Sequence, residues 1–307
     1  MSSFPFAIVD AFCVPNEAFT GNQAAVVVLP SDDSLPDEVK QKLAAELNLS
    51  ETAFVSRGWT ETDPHDDHKL ILRWFTPDVE VPLCGHATLA TARTLFETMQ
   101  SERQTGADTT LEFETKSKGT LTATMNWSSD RISLDFPLAP SSPITVSQLE
   151  CLPLLLSHLM GSLDVDEISC VYYSPLTKKL LIRLRGDVEE SSVSSSTLLK
   201  LNPNFIELIN VIGNNLVLGI IVTVKGSGDI DFYSRYFAPW VGLNEDPVTG
   251  SAHTVLAAYW SDEYKRNELL GKQCSKRSGL VWCKLHEPGR VRLEGLSKLV
   301  VRGDITV

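Results

Sequence analysis

Residues 73–77 read Arg-Trp-Phe-Thr-Pro, and residues 235–239 read Arg-Tyr-Phe-Ala-Pro, 162 positions further along the chain. A second pair of segments follows them: residues 84–87 read Cys-Gly-His-Ala, and residues 249–252 read Thr-Gly-Ser-Ala, 165 positions apart. Two ordered matches at nearly the same spacing are hard to attribute to chance. A repeat this long is not a solenoid. We interpret it as two similar domains, each containing a strand, a loop, a glycine and a helix.

The helix that follows each glycine is apolar on almost every side. The first is predicted to run from about Gly85 to Met99, and the second begins near Gly250. A helix without a polar face belongs inside a protein rather than on its surface. A further helix is predicted near the N-terminus, with Ser34 as its N-cap and Asn48 as a left-handed stop.

Composition limits the kinds of partner. The chain has 307 residues, with 27 Lys and Arg against 39 Asp and Glu, and a formal net charge of −12. A surface this acidic repels phosphate backbones and anionic lipid, so we expect no nucleic-acid partner and no membrane partner. A small anionic substrate remains compatible, because a local ring of backbone amides can bind an anion despite the overall field.

Cysteine usage and apolar runs indicate the compartment. The six cysteines form no Cys-x-x-Cys pair and are too sparse for a disulfide scaffold. Residues 1–12 lack a basic segment, and the strongest apolar run, residues 24–29, is far too short to span a membrane. We therefore expect a cytoplasmic protein.

Each of the two glycines opens a helix whose first backbone N–H groups have no partner within the helix and lie at the positive end of its dipole. Two such helix starts meeting across a domain cleft would bind a carboxylate or a developing enolate. Alternatively, Gly85 and Gly250 only permit tight turns and close packing. The duplication favours the anion site.

Four polar side chains accompany these helix starts. His86 and Ser251 occupy equivalent positions of the repeat, and Asp246 lies just before the second glycine. Glu51 has apolar neighbours, and partial desolvation would raise its pKa toward the working range of a general base. Each residue also has a structural alternative. His86 is then a core histidine, Ser251 a helix-start hydroxyl, Asp246 a turn residue and Glu51 a solvated loop acid.

Motifs of other site classes are weak or missing. Residues 62–68, Thr-Asp-Pro-His-Asp-Asp-His, contain metal-binding residue types, but a solvated hairpin loop fits them better. Residues 226–228, Gly-Ser-Gly, lack the third glycine of a dinucleotide fingerprint. No zinc spacing and no phosphate-binding lysine motif are found, so we expect no metal site and no cofactor.

The assembled motifs resemble those of the PhzF-like family, the phenazine biosynthesis-like proteins, over nearly the whole chain. They are Asp10-Ala11-Phe12, Gly21-Asn22-Gln23-Ala24-Ala25-Val26, and residues 48–54, 73–77, 83–88 and 245–253. The resemblance implies an α+β fold of the diaminopimelate-epimerase type. Two pseudo-symmetric domains, each a curved sheet or barrel around a central helix, would have the active site between them. We expect an N-terminal domain of residues 1–128 plus 296–307 and a C-terminal domain of residues 129–295.

The resemblance also implies roles for individual residues. The family's catalytic glutamate, histidine, aspartate and serine correspond to Glu51, His86, Asp246 and Ser251, and its backbone donors correspond to Gly85 and Gly250. Two-base epimerases of this superfamily carry a cysteine before each glycine, whereas this chain has Cys84 and Thr249. A second thiol is missing, so inversion by a cysteine pair is not expected.

The phenazine enzyme shifts a hydrogen between carbons of a dihydro-hydroxyanthranilate. The resemblance thus implies a cofactor-independent isomerase that acts on a small cyclic amino or hydroxy carboxylate, with Glu51 as the single base. Asp246 and His86 would hold the amino or hydroxyl group, and Ser251 would help to bind the carboxylate.

A non-catalytic interaction protein that retains an anion-binding cleft is the alternative function. The resemblance points to a WD-repeat protein as its partner, and a second copy of the chain, forming a homodimer, is a further candidate. The intact set of polar residues favours an enzyme.

Overall fold

A computed structural model describes residues 2–57, 70–99, 106–212 and 216–307. The histidine- and aspartate-rich residues 62–68 lie outside this part of the chain. The described residues form sixteen strands: β1 Ser3–Cys13, β2 Asn22–Leu29, β3 Glu51–Arg57, β4 Leu70–Phe75, β5 Glu80–Val81, β6 Thr109–Thr115, β7 Gly119–Asn126, β8 Arg131–Pro137, β9 Ser142–Pro143, β10 Ile168–Ser174, β11 Lys179–Val188, β12 Gly219–Gly226, β13 Phe232–Phe237, β14 Glu268–Gln273, β15 Gly279–Leu285 and β16 Arg290–Thr306.

Six helices accompany these strands in the described part of the chain. They are α1 Asp37–Leu47, α2 Gly85–Phe96, α3 Leu152–Met160, α4 Thr197–Lys200, α5 Phe205–Val211 and α6 Gly250–Tyr264. None of these helices is long and apolar enough to cross a membrane.

The chain divides into two compact units. Unit 1 comprises Met1–Asp135 together with Glu294–Val307, and unit 2 comprises Phe136–Leu293. The last strand, β16, therefore begins in unit 2 and ends in unit 1, as the family resemblance predicts for the end of the chain.

Unit 1 is a closed barrel. Its strands follow the order β1-β2-β3-β4-β6-β7-β8-β16, and β16 pairs antiparallel with β1 from Ser3↔Thr306 to Cys13↔Leu296. Closure leaves no free sheet edge along this path. Helix α2 packs against β1, β2, β3 and β7, so it lies inside the barrel. Eight of its twelve residues are buried, which confirms the prediction of an enclosed helix.

Unit 2 repeats the pairing pattern of unit 1. In unit 1, the pairs from β1 to β7 run antiparallel, parallel, antiparallel, parallel and antiparallel. The pairs from β10 to β15 run in the same succession. Helix α6 packs against β11, β14 and β15 and is buried along most of its length. The repeated sequence therefore corresponds to a repeated topology.

Each unit contains an arginine–glutamate clamp between the repeated strand and the segment before the buried helix. Nε and Nη2 of Arg73 lie 2.9 and 3.1 Å from the two carboxylate oxygens of Glu80. In unit 2, Nε and Nη2 of Arg235 lie 2.7 and 2.8 Å from those of Glu245. Glu80 and Glu245 are 165 positions apart, like the two glycines. Each clamp joins its strand to the loop that leads into the buried helix, so it fixes where that helix begins.

The N-terminal helix corrects one prediction and confirms another. Ser34 is not the N-cap, because it belongs to a 3₁₀ turn and its hydroxyl lies 3.0 Å from that of Ser31. Helix α1 instead begins at Asp37, directly after Pro36. Asn48 ends the helix with φ 50°, in the left-handed conformation that the sequence predicts.

We predict that Arg235→Met lowers the free energy of unfolding by about 2–4 kcal/mol, since it leaves Glu245 and the carbonyls of Leu198 and Leu201 without their donor. Urea denaturation measures the change. The matched control is Lys42→Met, which removes an exposed ion pair with Glu38 and should change the free energy of unfolding much less. Equal effects of the two substitutions would refute a structural role for the clamp.

Candidate active site

In unit 1, three side chains of different chemistry meet at the start of the buried helix. Glu51 is the first residue of β3, Cys84 is the N-cap of α2, and His86 is the second residue of α2. Oε2 of Glu51 lies 3.2 Å from Nε2 of His86, and Sγ of Cys84 lies 3.4 Å from Nδ1. We call Glu51, Cys84 and His86 the Glu–Cys–His cluster.

Two further side chains fix the imidazole. Nδ2 of Asn22 lies 3.3 Å from Nδ1 of His86, and Oγ of Ser50 lies 3.2 Å from Nε2. The hydroxyl of Ser50 is also within 3.2 Å of the Gln23 carbonyl oxygen. Both nitrogens of the ring therefore have neighbours, and the ring is held on each side by β2 and by the residue before β3.

A glycine turn places Asn22. Gly21 has φ +81°, and a Cβ at this position would lie 2.4 Å from the carbonyl oxygen of Ala11. Only glycine fits such a backbone without displacement. In the motif Gly21-Asn22, the backbone therefore requires the glycine, and the asparagine that follows it contacts His86.

The charge state of the pair differs from the expectation. Burial raises the pKa of Glu51, as predicted, but the charge of His86 and contacts from His86, Ser50 and Cys84 lower it more, so the pKa lies below the usual value. Burial lowers the pKa of His86, yet the neighbouring Cys84 and Glu51 raise it well above its usual value. The prediction of a raised pKa for Glu51 was wrong, because it considered only the apolar neighbours in the sequence and not the charge of the adjacent His86.

Unit 2 has a different polar network at the equivalent place. Asp246 is buried, and its carboxylate accepts a hydrogen bond from the hydroxyl of Thr249, the N-cap of α6. The side chains of Gln273 and Ser275 donate to the Asp246 carbonyl over 2.6 and 2.9 Å. Gln273 also accepts from the Thr249 amide over 2.9 Å. Asp246 is therefore anchored through backbone and side chain, which a simple turn residue does not require.

Ser251 lies in the first turn of α6 and is exposed, unlike most of that helix. Neither Cys84 nor Thr249 caps its helix with a side-chain hydrogen bond. Gly85 and Gly250 are not among the described glycines with positive φ. A left-handed turn therefore does not explain these two glycines, and the amide-donor explanation remains a prediction.

A core histidine was the structural alternative for His86, but His253 is the residue that lies in the core. Its Nδ1 lies 2.8 Å from the Thr249 carbonyl oxygen in the core of unit 2, and burial lowers its pKa to about 4. His253 is thus neutral and structural. His86 instead faces an acid, a thiol and two polar side chains.

Several residues of these two networks were not singled out from the sequence. Asn22 and Ser50 were visible only as parts of motifs, next to Gly21 and Glu51. Gln273 gave no local signal, because it reaches Asp246 and Thr249 from a strand more than twenty residues away. Lys179 gave none either. It is buried near Asp246, and burial lowers its pKa to about 8.

Comparison of sequences places this geometry in a family. A model of phenazine biosynthesis-like proteins matches residues 9–303. Phenazine biosynthesis-like domain-containing protein 1 of Mus musculus is 41% identical over 307 residues, which cover 98% of this chain and 99% of the mouse protein. An uncharacterized isomerase of Halalkalibacterium halodurans is 40% identical over 306 residues, which cover 99% of both chains.

Solved structures give the same result. A phenazine biosynthesis protein of the PhzF family from Enterococcus faecalis matches with a TM-score of 0.79 and 36% identity, covering 100% of both chains. A hydroxyproline epimerase from Agrobacterium vitis shares the fold alone, with a TM-score of 0.57, 13% identity, and 99% of this chain and 92% of the epimerase covered. The predicted α+β, diaminopimelate-epimerase-like fold is confirmed. With its repeated sheets, its two buried helices and these matches over nearly its whole length, the chain belongs to the phenazine biosynthesis-like (PhzF) protein family.

Proposed function

We propose that the protein is a cofactor-independent isomerase that moves a proton within a small cyclic amino or hydroxy carboxylate, with Glu51 as the base. One observation carries the proposal. The carboxylate of Glu51 is held 3.2 Å from His86, in a buried cluster whose only thiol is Cys84. The Halalkalibacterium relative is named an uncharacterized isomerase, which supports the same type of reaction.

Glu51 suits a proton shuttle. A base must reach the substrate carbon with a lone pair and must keep its orientation during the transfer. Glu51 begins β3 and is mostly buried, so its position is set by the sheet and by His86 rather than by a loop. After accepting a proton, the same carboxyl group can return it to a neighbouring carbon. The substrate gains and loses one proton, and no oxidant or reductant is consumed.

His86 would stabilise the charge that develops during the transfer. When a proton leaves a carbon next to a carboxylate, negative charge accumulates on the oxygen atoms, and a positioned donor lowers the barrier. The raised pKa of His86 favours the imidazolium form, which can donate to that oxygen. Asn22 and Ser50 would keep the ring in place.

The single thiol argues for one base rather than two. Inversion at carbon needs an acid on one face of the substrate and a base on the other. Thr249 stands where a second cysteine would be required, and its hydroxyl donates to Asp246. A threonine hydroxyl in such a bond is a poor base, so the proton that leaves the substrate would return from Glu51.

Asp246 and Ser251 complete the proposal as substrate-binding groups. Asp246 would accept from the amino or hydroxyl group of the substrate, because its carboxylate is preorganised by Thr249 and its backbone by Gln273 and Ser275. Ser251 and the first amide of the helix at Gly250 would donate to a substrate carboxylate, where the helix dipole favours negative charge, and the first amide of the helix at Gly85 is a second candidate donor.

Glu51→Gln should lower the rate of solvent deuterium incorporation into a bound cyclic amino acid by about 10²–10⁴-fold, because the amide keeps the shape of the side chain but cannot take a proton. Mass spectrometry of the recovered compound measures the exchange. Cys84→Ala is the matched variant from the same cluster and should cost much less. Exchange that survives Glu51→Gln and disappears in Cys84→Ala would overturn the one-base mechanism. Absence of exchange by the wild type across a broad carboxylate panel would favour the interaction protein.

Small carboxylates should raise the melting temperature of the wild type, because a ligand that binds only the folded state stabilises it. Ser251→Glu should abolish this rise, since a carboxylate in the first turn of α6 repels a second one. Ser157→Glu, which places the same charge at an exposed position of α3, is the control and should retain the rise. Equal responses of both variants in a thermal-shift titration would place the anion elsewhere.

A further inference from the structure

The Glu–Cys–His cluster combines three kinds of metal ligand in one small volume. A carboxylate oxygen of Glu51, the sulfur of Cys84 and a ring nitrogen of His86 all lie within 4.8 Å of one another. Within residues 2–57, 70–99, 106–212 and 216–307, no other three acidic, cysteine or histidine side chains meet in this way. The cluster is not a chance grouping of exposed acidic side chains, because Cys84 and His86 are buried.

The ligand types select a class of cation. Thiolate, imidazole and carboxylate bind zinc at about 2.3, 2.0–2.1 and 2.0–2.2 Å, so two ligand atoms of a tetrahedral ion lie roughly 3.4–3.6 Å apart. The three ligand atoms of the cluster lie within 4.8 Å of one another, and they must move closer together to share one ion. Magnesium and calcium prefer sites made of oxygen atoms alone, so a thiol and an imidazole disfavour them.

The surroundings also match a metal site. Metal-binding histidines generally have a second polar partner that fixes the ring. Asn22 and Ser50 contact the two ring nitrogens of His86 at 3.3 and 3.2 Å. Oε2 of Glu51 is buried and accepts no hydrogen bond of good geometry from the residues that the structure describes. Nε2 of His86 lies 3.2 Å from this oxygen, and a cation between the two atoms would take the place of the proton there.

We propose that the Glu–Cys–His cluster binds one divalent cation of the zinc type when no substrate is present, and that this cation inhibits the enzyme. On binding, the thiol of Cys84 and the imidazolium of His86 each release one proton to solvent, a metal–sulfur and a metal–nitrogen bond form, and no atom changes its oxidation state. Three protein ligands leave a fourth position for water. The inhibition rests on the proposed function, because the cation would occupy the carboxylate that must accept the proton. Binding itself does not depend on that function.

This site departs from the sequence-based expectation of no metal. The motif Cys84-Gly85-His86 has no zinc-finger spacing, and Glu51 is more than thirty residues away. The cluster arises because β3 and the first turn of α2 are adjacent in the barrel.

Titration of the chelator-stripped, reduced protein with Co²⁺ tests the proposal, since Co²⁺ takes zinc-like sites and gives a thiolate charge-transfer band. The wild type should show this band with one equivalent, and one equivalent of Zn²⁺ should remove it. Cys84→Ser should lose the band and bind Zn²⁺ at least about 100-fold more weakly, and Asn22→Ala should bind about 10–100-fold more weakly. Cys151→Ala, which changes a half-buried cysteine of unit 2, is the control and should behave like the wild type.

Two further measurements make the outcomes distinct. Circular dichroism of the metal-free variants shows that each one folds, and Glu51→Gln, which preserves the shape of the side chain, should weaken Zn²⁺ binding while keeping the thiolate band. A wild type without the band, or a Cys84→Ser variant with unchanged affinity, would overturn the site. Zn²⁺ should also stop deuterium exchange by the wild type. If bound Zn²⁺ leaves the exchange unaltered, inhibition is wrong and the site stands, whereas no exchange by the metal-free wild type counts against the proposed function alone.

Discussion

The enclosure of α2 by a closed sheet is the constraint on which the rest of unit 1 depends. A buried helix places the side chains of its first turn next to the strands that surround it. Here Asn22, Ser50 and Glu51 all reach the ring of His86 at the start of α2. The reactive cluster is therefore a direct consequence of the architecture. Its carboxylate and imidazole are held together because β3 and the helix start cannot move apart without opening the barrel.

The same enclosure sets the electrostatics of the cluster. Burial alone would make both Glu51 and His86 neutral, because a charge is poorly solvated away from water. Placed 3.2 Å apart, the two groups stabilise each other's charged forms. The pKa of Glu51 is therefore lowered and that of His86 is raised. Cys84 also contacts His86, which lowers the pKa of its thiol, but burial and the nearby Glu51 raise that pKa more. One cluster thus contains an ionised base, a cationic donor and a protonated thiol.

The two units show which parts of a repeated scaffold tolerate change. The strand pairings, the buried helix and the arginine clamp are kept in both. The chemistry at the helix start is not kept. Unit 1 has a thiol and an imidazole, whereas unit 2 has a threonine hydroxyl and an exposed serine beside the anchored Asp246. Packing constrains the scaffold through many contacts at once, but the few side chains at the helix start can be replaced individually.

Much of the fold could be predicted from the sequence. The repeat of residues 73–77 and 235–239 determined that there are two similar domains, and the apolar helices after Gly85 and Gly250 determined that each encloses a helix. Such patterns are local, because the periodicity of apolar residues within one segment indicates its secondary structure and its buried side. The start of α1 was misplaced at Ser34 because Asp, Ser and Pro residues around it support several turn geometries.

Sequence motifs name the members of the candidate site, which stay predictions, but they do not define the charge state of those residues. The sequence alone determined that Glu51, His86, Asp246 and Ser251 are the residues to examine, through motifs that resemble those of a family. Only the tertiary structure decided that Glu51 faces His86, that the pKa of this glutamate is lowered rather than raised, and that Gln273 and Ser275 anchor Asp246. The reason is physical. A pKa and a hydrogen bond depend on distances between groups that are far apart in the chain, and strand pairing, which the sequence encodes only collectively, sets those distances.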